Sequence, residues 1–291
     1  MRSSHILALA LAVGGVGLSM LPDAQAQSRR AVREQAEAAM VLTGQIHIGT
    51  EGQVESFQLD KRDQVDEAIA RFLEGAVQTW RFEPVRVDGR AVPARTPVSI
   101  RLGGKSMPDG KQQITLLAAS FEEYKDDAVD SVTKLQMRAP AYPEDVYRAG
   151  GRGDVLLLVQ VGRDGKVMDV ATEQVNLRVV GTEAQMRSIR EKLSRASMAA
   201  ARKWTFKTPT AGEFKDAPSW TLRVPIHFAL HDERERYGRW DAYIPGPRQQ
   251  APWRADKALS ADANADLLPQ GGVFMADAAR QGPRLLTPLG G

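Results

Sequence analysis

Residues 153–167 read GDVLLLVQVGRDGKV, and this stretch decides the fold. Apolar residues from Val155 to Val161 form a strand pattern, and the dipeptide Asp164-Gly165 that follows favours a tight hairpin turn. Residues 167–175 then supply a returning strand. The stretch therefore predicts an antiparallel hairpin.

The same pattern occurs earlier in the chain. Residues 40–54, MVLTGQIHIGTEGQV, align with residues 153–167 without a gap, and such self-similarity is the signature of a repeated unit. Gly52 and Gly165 then occupy equivalent turn positions, where the backbone needs a positive φ. The sequence predicts a duplicated module.

An amphipathic helix is predicted after each hairpin. Apolar residues recur at spacings of three and four as far as Trp80 in the first copy and Trp204 in the second, which indicates one buried face. Asp63 is the expected N-cap of the first helix. Thr182 and Gln185 have the spacing of a capping box at the start of the second.

A third strand is predicted to close each copy, PVSIRL at 97–102 and PIHFAL at 225–230. A proline inside a strand indicates a sheet edge, where its missing N–H costs nothing. Both closing strands are therefore expected at edges. With short helices at 31–39 and from Pro143, the predicted order in each copy is α-β-β-α-β.

The ends of the chain differ from its body. Residues 1–26 have the charge, the apolar run and the A-x-A site of a secretory signal cleaved after Ala26; the alternative is an uncleaved anchor in the inner membrane. The predicted organisation is a signal peptide at 1–26, a degenerate module at 31–102, a linker at 103–138, a second module at 139–231, and a flexible Pro-, Gly- and Ala-rich tail at 241–291. An extra strand is expected within the linker, around 114–121.

Composition excludes several classes of function. The 291 residues include 39 Lys+Arg, 36 Asp+Glu and no Cys, so the net charge of +3 does not favour nucleic acid. Without cysteine there is no disulfide, no thiolate nucleophile and no lipid-modified cysteine. No nucleophile-elbow motif occurs. We expect no enzyme activity, no catalytic or metal site, no cofactor and no small-molecule substrate.

Six positions carry a resemblance to a known family. In their order and spacing, residues 139–231 resemble the TonB C-terminal domain, and residues 31–102 resemble a degenerate copy of it; the positions are Tyr142, Pro143, Gly153, Gly165, Trp204 and Phe206. The resemblance implies an α+β fold, with a three-stranded antiparallel sheet and helices on one face. It also implies contact with outer-membrane receptors, through an extended receptor segment added at the sheet edge.

The resemblance predicts a periplasmic, non-catalytic module that binds extended segments of envelope or outer-membrane proteins. The candidate edge-strand residues are Trp220, Leu222, Arg223, Val224, Ile226, His227, Phe228 and Leu230. An energy transducer of this family with an uncleaved anchor is the alternative. About 14 residues separate Ala26 from the first hairpin, a reach of at most about 50 Å, which argues against a periplasm-spanning transducer. A third hypothesis is a structural pair, in which the two modules merely pack together or dimerise edge to edge, with a homodimer through the sheet edges as one form.

Overall fold

The computed structural model describes residues 37–106, 112–230, 237–254, 267–276 and 282–289. The predicted signal peptide at 1–26 lies outside these ranges. The short helix predicted at 31–39 is described only from residue 37 onward, and there the backbone is a strand instead. Across the described ranges, no helix combines the length and the apolar character needed to cross a bilayer.

The chain folds as α+β, as predicted, with antiparallel sheets and few helices. The strands of the described ranges are β1 (Glu37–Ile48), β2 (Val54–Leu59), β3 (Arg86–Val87), β4 (Arg90–Ala91), β5 (Ala94–Ser106), β6 (Gln112–Ser120), β7 (Thr133–Gln136), β8 (Gly153–Gly162), β9 (Val167–Leu177), β10 (Thr205–Lys207), β11 (Ser219–Phe228), β12 (Asp241–Tyr243) and β13 (Phe274–Met275). The helices are α1 (Glu67–Gln78), α2 (Glu144–Arg148) and α3 (Glu183–Ala201), with single 3-10 turns at Arg62–Gln64 and Pro252–Arg254.

The first sheet is built around β1. Strand β5 pairs along one side of β1, and β6 pairs with the far side of β5. The other side of β1 receives β12 near its start and β2 near its end. Between them the Tyr237 hydroxyl accepts from the Thr43 N–H at 3.0 Å and donates to the Thr43 carbonyl at 3.1 Å. Helix α1 packs on β2 and closes a core that contains Trp80 and Phe82.

The second sheet has the strand order β13-β11-β8-β9. Strand β8 lies in the middle, where Leu157 stands opposite Val224 and Val159 opposite Leu222. Helix α3 packs against β9 and β8. A separate hydrophobic core forms between this sheet and the helix, and Trp204 lies in it. The small β7–β10 ladder adjoins it.

Both hairpins turn at a glycine held against a phenylalanine backbone. Gly52 has a φ of +82° and accepts from the Phe82 N–H at 2.7 Å. Gly165 has a φ of +75° and accepts from the Phe206 N–H at 2.9 Å. A side chain at either glycine would clash, because its Cβ would lie 2.0 Å from the Phe82 carbonyl oxygen or 2.2 Å from that of Phe206.

One helix cap agrees with the sequence prediction and the other does not. Thr182 and Gln185 form the predicted capping box at the start of α3. The N-cap of α1 is Asp66 rather than Asp63, because residues 62–64 form a 3-10 turn and Val65 is extended. The Asp66 carboxylate accepts from the backbone N–H groups of the first helical turn.

The strand predicted to close the first module is not an edge strand, and this corrects the sequence prediction. Strand β5 lies between β1 and β6. Pro97 stands opposite Gln45 of β1, but the ladder with β6 begins only at Ser99. The proline therefore sits just outside the second ladder, so its missing N–H costs no strand pairing there. The Gly103-Gly104 pair, expected in a linker, continues the same strand.

The segment after residue 241, predicted as a flexible tail, makes strand contacts where it is described. β12 pairs with β1, Ile244 forms a bridge with Leu177 at the end of β9, and β13 pairs with β11. Farther on, the Leu286 N–H donates to the Arg81 carbonyl at 2.7 Å. Composition misses these contacts because each pairing is only one to three residues long, too short for a periodic pattern.

Candidate functional site

The apolar side chains of the candidate edge strand face the protein's own core. Four of them lie in the second core, each at most 5% exposed: Trp220, Leu222, Val224 and Phe228. Ile226 packs on it more loosely, and Leu230, just beyond the strand, is half-buried. These side chains hold the sheet together, so a partner segment would meet the backbone of β11 first.

The two sides of β11 differ in their partners. Strand β8 pairs with it along the whole of Ser219–Phe228. On the outer side β13 stands opposite Leu222 and Arg223 only, with one further bond from the Ala276 N–H to the Thr221 carbonyl at 2.8 Å. Within the described ranges no strand pairs with the outer side from Val224 to Phe228. Among the described strands, this stretch of β11 lies at the edge of its sheet.

Arg223 makes a buried ion pair across the second sheet. Its guanidinium donates twice to the Glu173 carboxylate of β9, at 2.9 and 3.1 Å. The two side chains are 10% and 4% exposed. This fork geometry is strong in a place that excludes water, so the predicted site residue Arg223 is engaged within the fold.

The face of the second sheet that carries Arg223 is crossed by the tail. Near β9 the Gln249 N–H donates to the Glu173 carbonyl at 2.7 Å and the Gly246 N–H donates to the Asn176 side chain at 3.0 Å. Near β11 the Trp253 ring N–H donates to the Thr221 hydroxyl at 3.2 Å. The segment between Gly246 and Trp253 therefore runs from β9 to β11.

A pocket of about 420 Å³, with several charged side chains in its walls, lies between the two sheets. Strand β1 contributes the apolar residues Ala39 and Val41 to its walls. The charged residues and the two tyrosines come from β5, β8, β11, the segment around β12 and the ends of β2 and β9; they are Lys61, Arg101, Asp154, Arg178, His227, Tyr237, Arg239, Asp241 and Tyr243. The Arg101 guanidinium lies 4.2 Å from the Tyr243 ring centre, a cation–π contact. The Arg152–Asp241 ion pair, at 3.0 Å, ties the strand β12 to the second sheet.

Asp154 is the buried anion of this pocket. Arg178 donates to it at 3.1 and 3.4 Å, and His227 contacts it through Nδ1. Burial, the largest single influence, acts to raise the pKa of Asp154. The cations Arg178 and Arg101, together with His227, outweigh burial and lower the pKa to about 2. The carboxylate is therefore ionised over the whole physiological pH range.

This lowered pKa predicts a loss of stability in acid. A carboxyl group with a folded pKa of about 2 and an ordinary unfolded pKa contributes stability above about pH 4, and that stability is lost as the pH falls toward 2. The expected loss is about 2 kcal/mol. Urea unfolding at several pH values between 6 and 2.5 measures it, with Asp154→Asn as the control. Parallel pH profiles for the two chains would contradict the assignment.

Sequence reasoning missed Asp154 and Arg178, although one signal was available. In the β8–β11 register Asp154 stands directly opposite His227. Strand alternation puts His227 on the face of β11 opposite to Leu222 and Val224, so pairing the two strands would have put an acid beside it. Arg178 follows β9 and has no such signal. Across the described ranges, no cluster of three metal-binding side chains occurs.

The first three family-motif residues, Tyr142, Pro143 and Gly153, have structural roles beside the second sheet. The Tyr142 hydroxyl donates to the Gly151 carbonyl at 2.5 Å, and its ring meets Phe228 edge-on at 5.1 Å. Pro143 is the N-cap of α2. A Cβ at Gly153 would lie 2.3 Å from the Asn176 carbonyl oxygen.

The remaining motif residues hold the core together. The Trp204 ring N–H donates to the Arg138 carbonyl at 2.8 Å. Phe206, 3% exposed, is buried beside the turn at Gly165.

Comparison with known proteins finds two curated relatives. Both are named Protein TonB and come from two strains of Xanthomonas campestris pv. campestris, B100 and ATCC 33913. Each is 36% identical over 100 residues, which are 34% of this chain and 39% of the relative. No family model matches the chain, and no solved structure matches it. The similarity shows that the chain contains a TonB C-terminal-like domain.

Proposed function

We propose that this protein is a periplasmic, non-catalytic interaction module, which binds extended segments of outer-membrane proteins by strand addition at the outer side of β11. The observation that carries the proposal is the outer side of β11 beyond Arg223, with which no strand of the described ranges pairs, in a chain that contains a TonB C-terminal-like domain. An added strand gains backbone hydrogen bonds along such an edge, while pockets beside it select side chains.

The proposal includes a two-module arrangement, with residues 31–102 as a degenerate copy of 139–231. Its support is the shared turn: Gly52 with Phe82, and Gly165 with Phe206, have the same positive φ and the same backbone bond. Each hairpin is followed by a helix and by a tryptophan that is at most 3% exposed. Two unrelated units would have no reason to share this contact.

Binding is assigned to the second module because the two closing strands differ. Strand β5 has neighbours on both sides, whereas the outer side of β11 is paired, among the described strands, with the short β13 alone. On the β5 side of the first sheet the outermost strand is β6, which follows β5 in the chain. Leu117 on β6 is exposed. In this proposal the degenerate copy has a supporting structural role, and the binding site lies in the second module.

The edge is tested by photo-crosslinking in the cell envelope. A benzophenone amino acid replaces Pro225, which is half-buried on the open part of β11, and the matched control carries it at Leu117 on β6. We expect adducts with outer-membrane proteins from position 225, about tenfold above those from position 117, because only one of the two edges is a binding site. Equal adducts from both positions, or none from 225, would reject the site.

The energy transducer with an uncleaved anchor is the second candidate, since both curated relatives are named Protein TonB. It shares the outer-membrane partner and differs in the N-terminal segment. Intact-mass measurement of the protein extracted from the envelope separates the two. A chain that begins at Gln27 supports the periplasmic module, and a chain that keeps residues 1–26 supports the transducer.

A further inference from the structure

We infer that the pocket between the two sheets binds a small organic anion, which carries two negative charges on oxygen atoms in the manner of a phosphate monoester or an aromatic dicarboxylate. The inference goes beyond the proposed function and does not depend on strand addition at β11. It assigns a binding site, and no chemical step is attached to it.

The pocket lies on the face of the first sheet that points away from the first core. On β1 the residues Met40 and Leu42 are part of that core, whereas Ala39 and Val41 line the pocket. Neighbouring residues of a strand point to opposite faces of its sheet, so the alternation explains the division. Asp154 of β8 lines the pocket from the second sheet. A ligand in this place would therefore contact both sheets.

Arg101 is the buried cation of the pocket. It stands opposite Val41 in the ladder between β1 and β5, yet it is only 5% exposed. The Tyr243 ring, with its centre 4.2 Å from the guanidinium, holds this planar group in place. A guanidinium has five N–H donors, so it can keep contacts within the fold and still bind two oxygens of a carboxylate or phosphate side by side.

The walls of the pocket carry an excess of positive charge. Four permanent cations, Lys61, Arg101, Arg178 and Arg239, stand against two carboxylates, Asp154 and Asp241. Both carboxylates already bind an arginine, at 3.1 Å for Arg178 with Asp154 and at 3.0 Å for Arg152 with Asp241. A cleft with an excess of one charge concentrates ions of the opposite charge. A ligand with two negative charges would balance the excess.

Lys61 and Arg239 form the mouth of the pocket. Both side chains line it and both residues are exposed. Among the described residues, neither pairs with a carboxylate. The Lys61 ammonium lies 5.5 Å from the centre of the Tyr237 ring. Because such long side chains are flexible, the two cations can reach the outer part of a ligand whose inner part contacts Arg101.

The size and the apolar walls of the pocket favour an organic ligand over a simple inorganic ion. A volume of about 420 Å³ lies in the range of sites that hold small organic molecules. Between the charged groups the walls are formed by Ala39, Val41 and Ala242 and by the rings of Tyr237 and Tyr243. These surfaces suit an apolar or aromatic body, and the cations suit its anionic groups.

Titration calorimetry of the full chain with three probes tests the site. The probes are phenyl phosphate, phthalate and inorganic phosphate, at about pH 7.5, where a phosphate group carries nearly two negative charges. We expect at least one of the two aromatic dianions to bind with a Kd of about 0.1–1 mM. Inorganic phosphate should bind about tenfold more weakly, because it lacks the apolar body. The tighter of the two aromatic probes identifies the anionic group.

A charge-reversed chain tests the position of the site. The variant Lys61→Glu/Arg239→Glu reverses both cations at the mouth, and we expect it to bind the tighter probe about tenfold more weakly. The matched control is Arg187→Glu/Lys203→Glu, which has the same net charge and changes two exposed residues on and just after α3. Its affinity should equal that of the wild type. Thermal unfolding checks that both variants are folded, as expected for exposed positions.

Three outcomes would overturn the inference. The first is equal affinity of the aromatic probes for the wild type and for the chain reversed at the mouth. The second is the absence of saturable binding by either aromatic probe up to about 10 mM. The third is inorganic phosphate that binds as tightly as both aromatic probes, which would indicate a simple ion site. Crosslinking from position 225 is measured without any probe, so the proposed function stands or falls separately.

Discussion

Gly165→Ala is expected to lower the free energy of unfolding by about 3 kcal/mol or more. The added Cβ would lie 2.2 Å from the Phe206 carbonyl oxygen, and the positive φ of +75° costs a further 1–2 kcal/mol or so for any residue with a Cβ. The hairpin or Phe206 must therefore move, and the bond between them lengthens. Urea unfolding, followed by tryptophan fluorescence, measures the loss.

The matched control is Gly150→Ala. Gly150 also has a positive φ, +68°, but a Cβ there meets nothing within 4 Å. Only the backbone cost remains, about 1 kcal/mol. Gly52→Ala should be as costly as Gly165→Ala, because its Cβ would lie 2.0 Å from the Phe82 carbonyl oxygen. Similar losses for Gly150→Ala and Gly165→Ala would show that the contact with Phe206 is not the cause.

Glu173→Ala is the second substitution with a large expected effect, a loss of about 3–5 kcal/mol in the free energy of unfolding. The substitution removes the carboxylate that pairs with Arg223, whose side chain is only 10% exposed. Stability is lost because the positive charge of Arg223 then lies without this carboxylate in a place that excludes water. Chemical denaturation at neutral pH measures it.

Two further chains check this explanation. The double variant Glu173→Gln/Arg223→Met removes both charges, and we expect it to be more stable than Glu173→Ala. Lys125→Ala removes an exposed ion pair with Glu123 and should cost about 1 kcal/mol or less. The explanation fails if the double variant is as unstable as the single one.

The sequence predicted those elements whose signals are local. The hairpin at residues 153–167 and the capping box of Thr182 with Gln185 depend on neighbouring residues, and the structure has both. The N-cap of α1 is Asp66, three residues after the predicted Asp63. The prediction was wrong because the sequence of the 3-10 turn at residues 62–64 resembles that of a helix start. Burial periodicity placed Trp80 and Trp204 in two cores.

The neighbours of each edge were beyond sequence reasoning. Whether β5 or β11 is open depends on β6 and β13, and no local pattern around Pro97 or Pro225 reports them. β13 is two residues long. The candidate site was thus predicted as a strand, but its buried side chains, its partial cover and the Asp154 pocket all depend on pairings between distant parts of the chain.

The route of the last part of the chain has a consequence for the order of folding. The Thr43–Tyr237 bond joins residues 194 apart, and the Arg81–Thr287 bond joins residues 206 apart. Such distant contacts form late, because a long loop must lose conformational entropy on closing before these contacts can add any stability. A newly made chain therefore keeps its sheet edges uncovered until residues after 241 have been synthesised. During that interval it is most open to proteases, to aggregation and to chaperones that hold extended chains.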